Sequence, residues 1–233
     1  MSKSFFICGL VRDVAKTFVR NYTMLRQYFA THGHDTYWYF YENDSLDSTP
    51  ETLMAYADAK NHPNFHCDLN VLGARKWSSV ISLQRVRDMC YYRNHYLHRL
   101  RQLGYAFDYT LIVDMDFTTL SVEHLDIAMS YNADMVGANG LTGRRGPWPY
   151  YDCWALKGIP RSVAHALTPE SPRVKVQSCF GGMGLYKTSS LQGCWYDQET
   201  NNYSHADHGT LHEAMLHAGH TEMYICPKWV ITV

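Results

Sequence analysis

No stretch of about 18 apolar residues occurs in the chain, so nothing in it reads as a helix that crosses a membrane. The opening residues, Met1 to Val11, hold an apolar run too short for a secretory segment with a cleavage site. Together these absences set the expectation of a cytoplasmic protein. An excess of charge of one sign is also missing: 21 Lys+Arg face 22 Asp+Glu, for a formal net charge of -1. A phosphate polymer or an anionic lipid surface would meet no general field, which disfavours a broad nucleic-acid binder and leaves small anions bound locally. The seven cysteines are odd in number and include no C-x-x-C pair, so they read as reduced thiols rather than a disulfide framework or a closed zinc-thiolate site. No repeat, low-complexity tract or linker divides the 233 residues, and a single domain over 1–233 is the simplest organisation.

What is present is aromatic and alternating. Phe5–Val11 has the pattern of a buried strand, and 15–30 carries helical spacing at Phe18, Tyr22, Leu25 and Phe29, stopped by Gly33. A second aromatic strand follows at Thr36–Tyr41, then a polar turn and a helix over 50–60. The longest helix signal covers about 79–103, with Leu83, Val86, Cys90, Leu97 and Leu100 on its apolar stripe. Counting seven on from Val86 lands on Arg93, and a guanidinium on that stripe either snorkels to the edge or finds an acidic or phosphate partner, the partnered state being the expectation. Strands are expected over 110–117, 133–138, 174–186 and 223–233, and 139–149, containing Arg144 and Arg145, is expected to be a mobile loop that closes over a ligand. Strand and helix alternate, which indicates an α/β fold with a mostly parallel, mixed central sheet flanked by helices.

Chemistry concentrates at the end of one strand. Thr110–Val113 is apolar until Asp114 and Asp116 appear, and strand alternation would turn both carboxylates to the same face. A pair of that kind holds Mg2+ or Mn2+ when water and phosphate oxygens complete the shell. With fifteen aspartates in the chain, D-x-D alone is weak, and a structural Asp–Arg network is the competing reading.

A second cluster lies at Ala206-Asp207-His208, where a helix is expected to start. Asp207 reads as its N-cap and also as a general base or a partner for a metal-bound group, roles that do not exclude each other, and His208 offers a further metal ligand. His208 and His212 are one helical turn apart and could share a zinc, the basis of a rival metallohydrolase reading, although no H-E-x-x-H pattern is present. Cys179-Phe180-Gly181-Gly182-Met183-Gly184 weakens its strand unless a ligand or another backbone must come close. Tyr150-Tyr151-Asp152-Cys153-Trp154 supplies rings for a sugar face and a carboxylate for its hydroxyls, with a packed hinge as the plainer alternative.

In this order the segments Ile7–Asp13, Arg87–Asn94, Val113–Asp116, Tyr151–Leu156, Ser178–Gly184 and Ala206–His208 resemble GT-A fold nucleotide-sugar glycosyltransferases. Within them the chain is similar to the capsule-associated mannosyltransferase-like group and the small glycosyltransferase domains of large DNA viruses. The resemblance implies a nucleotide-binding half of about 1–117 and an acceptor-binding half of about 118–233. It places Gly9, Leu10, Arg12, Arg93, Asn94 and Asp114 at the nucleotide sugar, and Tyr151, Asp152, Trp154, Gly181 and Gly182 at a glycan acceptor. Asp114, Asp116 and His208 would attend Mn2+ or Mg2+, and Asp207, or failing it Asp152, would be the catalytic base. Two other functions stay open on these residues: a metal-dependent hydrolase of phosphoesters or nucleotide sugars, and a non-catalytic glycan- or nucleotide-binding module.

Overall fold

Residues 2–60, 62–73, 77, 79, 81–142, 150–201 and 206–233 are described in a computed structural model. Strand β1 (Ser4–Val11) shows why a sheet forms with two buried faces. Phe6 and Cys8 enter one core and Phe5 and Ile7 the other, the period of two that a strand imposes. The same alternation splits β2 (Asp35–Asn43) at Tyr39 and Tyr41 against Trp38 and Phe40. It also splits β4 (Tyr109–Val113) at Ile112 against Leu111 and Val113.

Helices cover both faces. Helix α1 (Ala15–Thr31) buries Phe18, Tyr22, Leu25 and Phe29, and α2 (Thr49–Ala57) buries Leu53, in one core. Helix α3 (Leu83–Gln102) lies on the opposite face and buries Val86, Cys90, Leu97 and Leu100. Its start is set by Ser82, whose Oγ accepts the Arg85 backbone N–H at 3.2 Å. Short helices α4 (Leu125–Ser130) and α5 (Arg161–His165) and the final α6 (Asp207–His217) complete the layers.

Among the described residues the sheet runs β3-β2-β1-β4-β8-β6-β9-β5, with β7 (Val174–Lys175) also on β9. Here β3 is Phe65–Asn70, β5 Thr119–Leu120, β6 Met135–Leu141, β8 Met183–Lys187 and β9 Met223–Thr232. From β3 to β4 all pairings are parallel; β8 then runs antiparallel between β4 and β6. Strand β1 leads through α1 to one neighbour, β2, and the chain returns through α3 to its other neighbour, β4. The connections therefore part between β1 and β4, and such a switch point leaves a crevice at the carboxyl ends of the strands.

Several boundaries differ from the sequence expectation. The strand predicted over 110–117 ends at Val113, because Asp114 N–H turns to Gly182 O at 3.0 Å, and Asn21 Nδ2 holds Met115 O and Phe117 O at 3.0 and 2.9 Å. The strand predicted over 174–186 divides into β7 and β8, since Gly181 and Gly182 take φ of +67° and +87°. Of the loop predicted over 139–149, residues 139–141 belong to β6, and 143–149, with Arg144 and Arg145, lie outside the described residues. Among the described residues no helix is long and apolar enough to cross a membrane.

Candidate active site

Two adjoining cavities, of about 420 and 270 Å³, open at the crevice between β1 and β4. Arg85, Met89, Arg93, Asp114 and Tyr151 line both, so they form one cleft with two compartments. The smaller compartment adds Leu10, Arg12, Asn43, Trp77 and Asp116; the larger adds Asp152, Trp154, Arg161, Phe180, Asp207 and His208.

Arg93 ties the two together. It is 4% exposed, its Nε–H donates to Asp207 Oδ2, and its Nη2 lies 3.8 Å from Asp114 Oδ1. Against the desolvation that burial imposes, the Asp207 carboxylate keeps this guanidinium firmly charged. Ala206 takes the N-cap position and Asp207 is the first residue of α6, so the N-cap reading gives way to the ion pair with Arg93. Its charge in the first turn also suits the helix dipole.

The aspartates differ in setting. Burial pushes Asp114 up to about 7, with Arg93 opposing and Asp116 adding to the shift. Asp116, exposed at the outer edge, is raised too, by the desolvation that the cleft walls impose. Because β4 stops at Val113, strand alternation does not orient this pair; the turn held by Asn21 and Gly182 does. Burial pushes Asp152 up to about 6, and its Oδ1 accepts the Ala155 N–H at 3.3 Å.

The residues expected for binding separate into two groups. Leu10, Arg12, Arg93, Asp114, Tyr151, Asp152 and Trp154 line the cleft. Gly9, Asn94, Gly181 and Gly182 do not, and packing accounts for each. A Cβ on Gly9 would come within 2.1 Å of Val113 O, so its hydrogen lets β1 approach the residue before Asp114. Asn94 exchanges hydrogen bonds with the backbone of Tyr196, donating to its O at 2.9 Å and accepting from its N at 3.0 Å. A Cβ on Gly181 would lie 2.3 Å from Ala138 O, and Gly182 O anchors Asp114. These two glycines therefore set the Phe180 wall and the Asp114 backbone without facing the cavity.

The histidines are also placed. His208 stacks on Phe180 with centroids 3.6 Å apart, and its Nδ1 lies 3.2 Å from Tyr196 Oη. Burial, reinforced by Arg93, holds it well below the usual imidazole range, as a neutral ring. It lines the larger compartment while Asp116 lines the smaller, and no group of three His, Cys, Asp or Glu among the described residues gathers to hold a metal. The zinc pair of His208 with His212 is not formed. His212 Nδ1 is bound to Ser178 Oγ and Nε2 to Tyr186 Oη, both at 2.8 Å, deep in the core.

Asn43, Trp77, Arg85, Met89 and Arg161 line the cleft without having been assigned to it from the sequence. Arg85, Met89 and Arg93 recur every four residues on α3, a spacing that marks one face. The Arg85 guanidinium lies 5.7 Å from the Trp77 ring and 5.9 Å from that of Trp154. Asn21, fully buried between Phe18 and Leu25, was the other silent signal.

No family model and no curated protein matches the sequence. Solved structures do match in fold. S. aureus TarS, residues 1–349, is 11% identical with a TM-score of 0.60, and the alignment covers 99% of this chain and 60% of that one. The mannosyltransferase PcManGT from Pyrobaculum calidifontis, in complex with GDP-Man and Mn2+, is 12% identical with a TM-score of 0.56, covering 98% and 56%. GalNAc-T7, with UDP, GalNAc and Mn2+, is 11% identical with a TM-score of 0.51, covering 99% and 43%. The chain thus spans 60% or less of the length of each of these three, and its mixed α/β architecture is that of GT-A-type glycosyltransferases.

Proposed function

We propose that the chain is a metal-dependent glycosyltransferase that moves a sugar from a nucleoside-diphosphate donor, UDP- or GDP-linked, to a hydroxyl of a glycan acceptor. The observation that carries this reading is Asp114, which borders both compartments at the switch point, with Asp116 beside it in the smaller one. A crevice of that kind is where α/β sheets bind nucleotides. The GT-A-type fold supports the assignment, as do the UDP and GDP-Man complexes of the similar structures. The six matching segments favour the capsule-associated mannosyltransferase-like and viral groups within that class.

The donor set fits a hard divalent cation. Asp114 and Asp116 offer oxygen only, and with no third ligand gathered among the described residues, water and diphosphate oxygens would complete the shell. The chemistry Mn2+ or Mg2+ supplies when bound there is neutralisation of a leaving diphosphate. Leu10, Val11 and Trp77 wall the nucleotide side, with Arg12 and Asn43 as its polar groups. On the other side Tyr151, Trp154 and Phe180 offer ring faces to the sugars and exclude water. Asp152 accepts the proton of the attacking hydroxyl: a carboxyl pushed up to about 6 is matched to neutral pH, and its Oδ1 is steadied by Ala155 N–H. Asp207, with an oxygen already engaged by Arg93, is the second candidate base and holds Arg93 against Asp114.

The test is product analysis with UDP- and GDP-sugars, Mn2+ and a panel of glycan acceptors. Glycosylated acceptor and released nucleoside diphosphate are expected, reduced by about 10²-fold or more in Asp116→Asn. Free sugar released at the same rate with and without acceptor would identify a hydrolase instead.

A further inference from the structure

We infer that the larger compartment takes an acceptor bearing an anionic oxygen group, a phosphate or a carboxylate, bound by Arg161 together with Arg85. The inference rests on the reading above that this compartment is the acceptor side. Three guanidinium groups line it, and only Arg93 is paired there, with Asp207 and Asp114. Among the described residues neither Arg85 nor Arg161 forms an ion pair with a carboxylate. A neutral sugar offers hydroxyls, which Asp152 and the rings of Tyr151 and Trp154 can read without help from a cation. A guanidinium only donates, through five N–H groups in a flat fork whose best acceptor is an oxyanion.

The surroundings of Arg85 strengthen the case. It lies near the faces of Trp77 and Trp154, and the Trp77 ring is itself fixed by Nε1–H donation to Asp88 at 2.8 Å. Held in this way, the guanidinium loses little freedom on meeting a ligand. Among the described residues the compartment therefore holds two guanidiniums, Arg85 and Arg161, with no carboxylate at ion-pair distance, more positive charge than a neutral glycan requires. Arg85 also borders the nucleotide side and could contribute to a diphosphate there; Arg161 borders only the acceptor side, so it is the residue that separates the two roles.

The experiment titrates the full chain, with Mn2+ and saturating UDP or GDP, against matched small sugars by ligand-observed NMR. The pairs are glucose 6-phosphate with glucose, and glucuronate with glucose; occupying the nucleotide side first keeps the phosphate probe out of it. At least one charged sugar is expected to bind about tenfold more tightly than glucose, with a preference that weakens as salt is raised. Arg161→Gln, an exposed change, should remove most of that preference and leave nucleotide binding intact, and Arg85→Gln/Arg161→Gln should abolish it. Which sugar responds names phosphate or carboxylate. Equal binding of charged and neutral sugars, or a preference that survives the double substitution, would overturn the inference. Nucleotide binding is scored in the same samples: its absence counts against the glycosyltransferase reading, whereas nucleotide binding with no charge preference overturns only the anionic acceptor.

Discussion

Arg93 occupies a position on α3 where the helical spacing calls for an apolar side chain, and its burial is tolerable only because Asp207 and Asp114 share its charge. That much was legible in the spacing, since a guanidinium on an apolar stripe demands a partner. Which carboxylate answers it was not legible, because Asp207 lies 114 residues away and arrives through the packing of α6 on α3. The same limit applies to Asp152 and Asp207 as rival bases: the sequence offers two carboxylates, and the surroundings differentiate them. If Asp152 accepts the proton, its ionised form is required, so transfer should fall as pH drops through about 6 and level off above it. Asp152→Asn should lower kcat by about 10²–10⁴-fold and remove that limb from the pH profile. Activity retained in Asp152→Asn would shift the role of base to Asp207.

At the scale of elements, α3 is the shared wall of the cleft, and Arg85, Met89 and Arg93 on one face of it explain why two compartments meet there. The strand ends do the rest. Gly9 allows β1 to lie against Val113 O, which fixes where Leu10 and Arg12 leave β1 relative to Asp114 leaving β4. Gly9→Ala places a carbon 2.1 Å from that oxygen, so the two strands must separate. The expected result is a loss of about 1–3 kcal/mol in denaturant unfolding together with weaker nucleotide binding. Stability and binding both unchanged in Gly9→Ala would contradict this account of the strand junction. Strands with clear alternation were readable, as in β1 and β2. The short β5 and β7 and the helices α4 and α5 were not, because elements of two to six residues take their conformation from their neighbours. Gly181 and Gly182 were noticed as a close-approach signal, and what approaches is the protein itself: the β6 backbone at Gly181, and the side chains of Ile231 and Val233 at Gly182.

Across the whole molecule, parallel strands from β3 to β4 with helices on both faces build a crevice at one place, and the acidic turn after β4 lies in it. The class of fold was legible because runs with period two alternate with runs of helical spacing through the first half of the chain. The antiparallel insertion of β8 between β4 and β6 was not, since strand order depends on long-range pairing that local pattern does not encode. Similar solved structures keep the architecture at 11–12% identity, which shows how few residues the topology itself requires. The central property expected of the cleft is cation-dependent nucleotide recognition at Asp114 and Asp116. Calorimetric titration of the purified chain with UDP and with GDP, in Mn2+ and again in EDTA, measures this directly. The prediction is that one nucleotide binds in Mn2+ and weakens by about tenfold or more in EDTA and in Asp116→Asn. Binding that is indifferent to both, or no binding of either nucleotide, would contradict it.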